Sequence, residues 1–214
     1  MKEQLQKDFD NSIKNLSLSQ KDIEIKKFCL DNFIDKGFPN KKEEDWKFSD
    51  LNQIIKMNIG ELSFYNNQAS TNKIDTSVFV DGLEHNKIVF INGRIEKIDF
   101  EYEKKDQIEI IDQSETINEF KNSNSLSDLN NAFTNKCFKI LVKKGYQLVK
   151  PLIIYHTTNS KIWSKNINLR LNFELDKDSS LRLIDLFNDT SEKNFLNIFY
   201  NFELKENAIL KNYK

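Results

Sequence analysis

The tetrapeptide Asn-Phe-Glu-Leu occurs twice in this chain, at 172–175 and at 201–204, each time just before a short charged turn. It belongs to a rhythm that runs from Ser127 to Lys214. Phe138–Val142 leads through Lys143-Lys144-Gly145 to Leu152–Tyr155. Ile167–Leu175 leads through Asp176-Lys177-Asp178-Ser179 to Leu181–Phe187. Phe195–Leu204 leads through Lys205-Glu206-Asn207 to Ile209-Leu210-Lys211. A strand–turn–strand unit that returns about every 30 residues cannot bury its own apolar face, and so predicts a solenoid of stacked coils. Within it Ile167, Leu169, Leu171, Phe173 and Leu175 alternate with Asn168, Arg170, Asn172 and Glu174. One face is therefore expected to line a core and the other to stay free for partners. Leu181, Leu183 and Asp185 extend the inward series. Asp-Lys-Asp-Ser and Lys-Glu-Asn are turn residues that tolerate positive φ.

The remaining chain reads as a prelude to these coils. Residues 1–36 are expected to be helical, with Ser19 and Asp22 in N-cap spacing and Ile25, Phe28, Cys29 and Phe33 on one apolar stripe. Gly37 and Pro39 end that helix. Asn40 and Glu43 stand at capping-box spacing, so a second helix is expected to begin there. The acidic triplet Glu43-Glu44-Asp45 would then sit in its first turn, with Trp46 and Phe48 anchored on the core. Adjacent carboxylates on a helix do not face one another, which argues against acid–base chemistry by this triplet. Residues 58–76 are polar and read as a loop. Asn92-Gly93 between Lys87–Ile91 and Arg94–Ile98 is a strong type I′ hairpin signal. Ile108–Ile111 reads as a strand. Ser125-Leu126-Ser127-Asp128 opens a short helix with Leu126, Leu129 and Phe133 on one side, expected to cover the open first coil. Residues 1–76 thus form an N-terminal helical region, 77–134 a hairpin and connecting helix, and 135–214 the beginning of the solenoid.

Composition narrows the function. The formal charge is −1 with 30% charged residues of both signs interleaved, and only Arg94, Arg170 and Arg182 are arginine. No electrostatic footprint for nucleic acid or anionic lipid follows from this. No run approaches the ~18 apolar residues of a membrane helix. The N-terminus has neither signal- nor transit-peptide character. Two distant cysteines give no disulfide framework, so a cytoplasmic protein is expected.

The chemically capable residues are few. His85, His156, Cys29 and Cys137 are the soft ligands, and no two stand at a ligand spacing. Convergence of His156 and Cys137 from neighbouring strands stays open. Cys29 lies on an apolar stripe and His156 closes a strand, positions that suit a buried thiol and a structural histidine. Five dispersed glycines form no phosphate cradle, and no nucleophile elbow occurs. No catalytic, cofactor-binding or metal residue is assigned, and the chain is expected not to be an enzyme.

Three stretches together resemble one family. Gly37-Phe38-Pro39-Asn40-Lys41-Lys42-Glu43-Glu44-Asp45-Trp46-Lys47-Phe48 is similar to the opening motif of the SufB/SufD family of iron–sulfur cluster assembly proteins. Val89-Phe90-Ile91-Asn92-Gly93-Arg94 resembles its hairpin. Leu129-Asn130-Asn131-Ala132-Phe133, Ile140–Gly145 and Lys150-Pro151-Leu152 resemble the approach to its β-helix, and the SufD branch fits best. The resemblance implies an N-terminal helical region followed by a right-handed parallel β-helix. It also implies a cytoplasmic support subunit partnering SufB-like and SufC-like (ATPase) proteins, with an iron–sulfur cluster at the level of the complex. The family continues for roughly another half beyond such a region, so a truncated chain or fragment is expected. Its last coil, Ile198 to Tyr213, should then expose strand edges and Phe199, Phe202 or their neighbours, and self-associate. The alternatives are a β-solenoid interaction protein outside the Suf system and a carbohydrate-active β-helix enzyme. The mixed polar positions Asn168, Arg170, Asn172 and Glu174 speak against the latter.

Overall fold

The computed structural model describes residues 2–14, 16, 18–61, 63–64, 76–113, 124–158, 162–189 and 193–214. Among them the chain is α+β, with four α-helices and two five-stranded mixed sheets. The helices are α1 (Lys2–Ile13), α2 (Gln20–Lys36), α3 (Leu51–Asn58) and α4 (Ser125–Phe133). The strands are β1 (Ser63–Phe64), β2 (Asn86–Ile91), β3 (Arg94–Asp99), β4 (Ile108–Asp112), β5 (Cys137–Val142), β6 (Leu152–Thr158), β7 (Lys165–Leu175), β8 (Ser180–Asp189), β9 (Phe195–Leu204) and β10 (Ile209–Tyr213).

From β5 onward the chain alternates between the sheets. Strands β5, β7 and β9 pair in parallel in one sheet, and β6, β8 and β10 in the other. Cys137 pairs with Arg170, an offset of 33 residues, and Leu152 with Leu183, an offset of 31. Asn166 with Phe195, and Ser180 with Ile209, are both offset by 29. The two Asn-Phe-Glu-Leu copies consequently lie side by side, residue for residue. Each strand turns one face inward, so register stacks like on like: Val142, Leu175 and Leu204 form one column, and Ile140, Phe173 and Phe202 another. Apart from the exposed Leu204, these columns meet Ile88, Leu152, Ile154, Leu181 and Leu183 of the second sheet in one apolar core. A buried side chain of this size stabilises by about 1.5–3 kcal/mol.

The turns stack as well. Gly145, Asp178 and Asn207 occupy equivalent turn positions and have φ of 72°, 58° and 58°. The Gly145 amide donates to the Lys177 carbonyl (2.8 Å), and the Asp178 amide to Glu206 (3.0 Å). Opposite the last coil both sheets are extended by earlier chain. Strand β4 runs antiparallel to β5, and β2 parallel to β6. The β2–β3 hairpin turns at Asn92 and Gly93, both with positive φ (51° and 77°), as a type I′ turn requires. Glu103 fastens the loop after β3 to the β5–β6 turn. Its carboxylate accepts from Asn86 Nδ2 (2.6 Å), Tyr146 Oη (2.6 Å) and the amides of Val149 and Lys150 (3.1 Å each). Partial burial raises its pKa, but the Tyr146 hydroxyl and the other donors outweigh this and hold it below the ordinary carboxylate range.

Several expectations need correction. The N-terminal stretch is two helices. The second has the Ser19–Asp22 capping box and ends at Gly37, but Phe28 on it is exposed. Residues 40–48 form no helix, only a single 3-10 turn at Glu44–Trp46, and Asn40 Oδ1 accepts from the Lys42 amide. The helix starts instead at Leu51, capped by Asp50, whose carboxylate satisfies the Gln53 amide (3.0 Å). Trp46 is half-buried and Phe48 is 87% exposed, so Phe48 anchors nothing. Within the expected loop at 58–76, Ser63–Phe64 pairs with the start of β7, and 65–75 lies outside the described residues. Helix α4 is capped by Asn124 and lies flat on β7 and β9 rather than over the first coil, whose outer edges β4 and β2 occupy.

A Cβ at Gly93 would stand 2.8 Å from Ile167 Cγ2, whereas one at Gly82, with φ of 72°, would meet nothing within 4 Å. Urea unfolding should therefore show Gly93→Ala losing about 2 kcal/mol and Gly82→Ala about 1 kcal/mol, since only the first adds a clash to the strain of positive φ. Equal losses would place the hairpin turn away from β7.

Candidate functional site

Polar side chains gather in the layer under the helices and at the far end of the core, and the last coil presents an exposed apolar edge. The first corrects the expectation of a free outer sheet face. Asn166, Asn168, Arg170 and Asn172 of β7 are buried, and α4 contacts both β7 and β9 on that side. Polar side chains fit there because they bond the helix layer to the sheet. Asn130 Nδ2 donates to the carbonyls of Leu169 (3.2 Å) and Asn197 (2.7 Å), and Asn197 Nδ2 to Leu126 O (2.9 Å) and Asn168 Oδ1 (3.1 Å). Lys26, 2% exposed, donates to the last carbonyls of α4, at Asn131 (3.0 Å) and Thr134 (2.5 Å), groups that otherwise lack helical partners. Burial, and then the charge of Arg170, pushes its pKa down to about 8. Arg170 is itself pushed down to about 10 by burial and lies over the Phe199 ring (4.5 Å).

Both cysteines belong to this layer. Cys137 Sγ accepts from Asn172 Nδ2 (3.3 Å), and Cys29 lies on α2 among the apolar residues that face α4. Burial pushes both thiols up, more than the nearby Arg170 and Lys26 bring them down. They are thus protonated, weakly nucleophilic groups at neutral pH. Arg170 and Lys26 act as structural cations here. Neither was singled out from the sequence, although Arg170 stands in the alternating series.

His156 points the other way, into the space between the sheets. It therefore does not meet Cys137, which lies on the opposite face of β5. Its ring is stacked between Phe90 (5.4 Å) and Phe187 (4.9 Å), the residues directly in register on β2 and β8. Its Nε2 lies 2.7 Å from Tyr200 Oη and 3.6 Å from Asp185 Oδ1, and the Tyr200 hydroxyl donates to the same Asp185 oxygen. Burial, more than the Asp185 charge, sets the histidine, whose pKa falls below the ordinary value. Burial and Asp185 push the Tyr200 phenol well up. The signal in the sequence was a histidine and an aspartate at inward positions of otherwise apolar strands.

His85 is bracketed by the Leu83 carbonyl (2.6 Å from Nδ1) and the Tyr155 hydroxyl (2.8 Å from Nε2), a structural role. It borders a cavity of 370 Å³ between Phe79 and Tyr102. Glu43, Glu44 and Asp45 are all exposed. Among the described residues no three His, Cys, Asp or Glu side chains are grouped to hold a metal ion. No helix there is long and apolar enough to cross a membrane.

The third place is an edge. Among the described residues β9 pairs with β7 and β1–β7 pairing lies on the other side, while β10 pairs with β8 alone. Leu204, Ile209 and Tyr213 are exposed along this edge, as is Phe187 beside it. Phe199 and Phe202, expected to be exposed, are half-buried by Arg170 and by Phe173 respectively. No known family model matches the chain, and a search of curated proteins returns no match.

Strands β9 and β10, each paired on one side among the described residues and flanked by apolar side chains, can template further strands. Light scattering of the purified chain should give a mass that rises with concentration, and the double variant Leu204→Lys, Ile209→Lys should return it to the monomer. A monomeric mass at every concentration would contradict the role given to this edge.

Proposed function

We propose that this chain is a SufD-like subunit of an iron–sulfur cluster assembly complex, and that its alternating strands are the first coils of a right-handed parallel β-helix. In this reading it is a cytoplasmic support protein without catalysis of its own. It partners SufB-like and SufC-like (ATPase) proteins, and the cluster belongs to the assembled complex.

The observation that carries the reading is the residue-for-residue stacking of the Asn-Phe-Glu-Leu copies, within strands that alternate between two sheets at offsets of 29 to 33. A repeat of that length whose strands pair in parallel with those of the neighbouring coils is what a β-helix requires. The family-like stretches support it too. Val89–Arg94 is a hairpin, Leu129–Phe133 is the helix that packs on β7 and β9, and Ile140–Gly145 is a coil strand with its turn. The one-sided edges of β9 and β10 favour a second reading, an interaction solenoid outside the Suf system.

Co-expression with SufB-like and SufC-like proteins of the same source separates the two. An affinity-tagged chain should retain both partners through size-exclusion chromatography. A chain that folds, by circular dichroism and cooperative unfolding, yet retains neither would overturn the assignment and leave the interaction solenoid.

A further inference from the structure

In the largely apolar core between the sheets His156 and Asp185, from neighbouring strands of one sheet, meet Tyr200 of the other. Tyr200 comes from β9, while His156 and Asp185 come from β6 and β8 of the opposite sheet. The contact therefore ties the last coil to the body of the fold across the core. That coil is held loosely in other respects. Strand β9 is only half-buried along most of its length, β10 is largely exposed, and among the described residues β10 pairs with β8 alone. Such segments open locally at a fraction of the global unfolding cost.

We propose that His156, Asp185 and Tyr200 form a proton-operated latch on the β9–β10 coil, closed while His156 is neutral and released when it takes up a proton. In the closed state His156 Nε2 donates to Tyr200 Oη, which donates to Asp185 Oδ1, and the imidazole stays stacked between Phe90 and Phe187. A proton there puts a full charge between two aromatic faces, in a residue that is 2% exposed. Asp185 of β8 favours the charged form, Lys214 after β10 opposes it, Tyr200 of β9 is held as the neutral phenol, and Phe90 of β2 and Phe187 of β8 carry no charge. Burial outweighs the Asp185 attraction, so the folded-state pKa lies below that of the solvated histidine.

The sign follows from linkage. A histidine depressed in the closed state binds more protons once the coil opens. The closed state is thus fully stable above the solvated pKa of about 6.5 and loses stability as pH falls below it. Opening should grow about tenfold per pH unit below that point until the closed-state pKa is reached.

Hydrogen exchange, corrected for intrinsic rates, tests this on the intact chain between about pH 7.5 and 5.5. Peptides from 195–213 should lose protection toward the acid end while those from 137–142 keep theirs. His156→Gln, which retains an N–H donor toward Tyr200, should remove the pH dependence. Protection of 195–213 that is constant or rises on acidification would overturn the latch. If the variant does not fold, the ring protons of wild-type His156 decide: titration at or above about 6.5 is incompatible with it.

Discussion

Parallel in-register pairing is the constraint from which the other features follow. A strand such as β7 offers apolar side chains on one face only, and most of its backbone groups are satisfied by strands 33 residues earlier and 29 later, with β1 pairing at its start. Offsets of this size bring identical or similar residues into columns, so each coil is both a consumer and a supplier of the core. Turns must then stack too, and they do so through residues that accept positive φ: Gly145, Asp178 and Asn207. A one-residue slip would turn every leucine of a column outward, which is why the copies of Asn-Phe-Glu-Leu are aligned without error.

The same pairing makes the polar face of the sheet a second problem, and the helices solve it. Asn168 bonds Asn166 and Asn197, Asn172 bonds Gln113 and Cys137, and Arg170 lies over Phe199, while Asn130 of α4 ties the helix layer to the backbone of β7 and β9. Lys26 is tolerated at 2% exposure because it satisfies the end of α4. Desolvation lowers both cations and raises both thiols, so the layer favours neutral thiols while it joins the N-terminal helices to the sheet. Near the last coil the buried His156–Asp185–Tyr200 contact lies beneath β9 and β10, each of which pairs with one strand among the described residues.

What could be read from the sequence was whatever is encoded locally. The Asn92-Gly93 turn, the Ser19–Asp22 cap and the coil turns each depend on a few adjacent residues, and all appear where their spacing put them. The alternation in β7 gave the inward face correctly. It could not say that the outward face was buried, because a polar residue is equally suited to water and to a hydrogen-bonded interlayer. Phe48 failed for a related reason: hydrophobicity states a preference, and at 87% exposure the surrounding chain gives it nothing to pack on. Asn40 satisfied a cap-like bond to Lys42 without a helix following, since Pro39 and the 3-10 turn at Glu44–Trp46 reach α3 by another path. The triad was visible only as two polar residues at inward positions, and Tyr200, an amphipathic side chain, gave no such sign.

Backbone NMR of isotopically labelled protein tests the stacking most directly. Parallel in-register pairing of 172–175 with 201–204 predicts amide-to-α-proton cross-peaks between residues offset by 29, from Asn172 and Asn201 to Leu175 and Leu204. Strong α-proton to α-proton peaks between these segments, the mark of antiparallel strands, or no cross-peaks at all, would contradict the account.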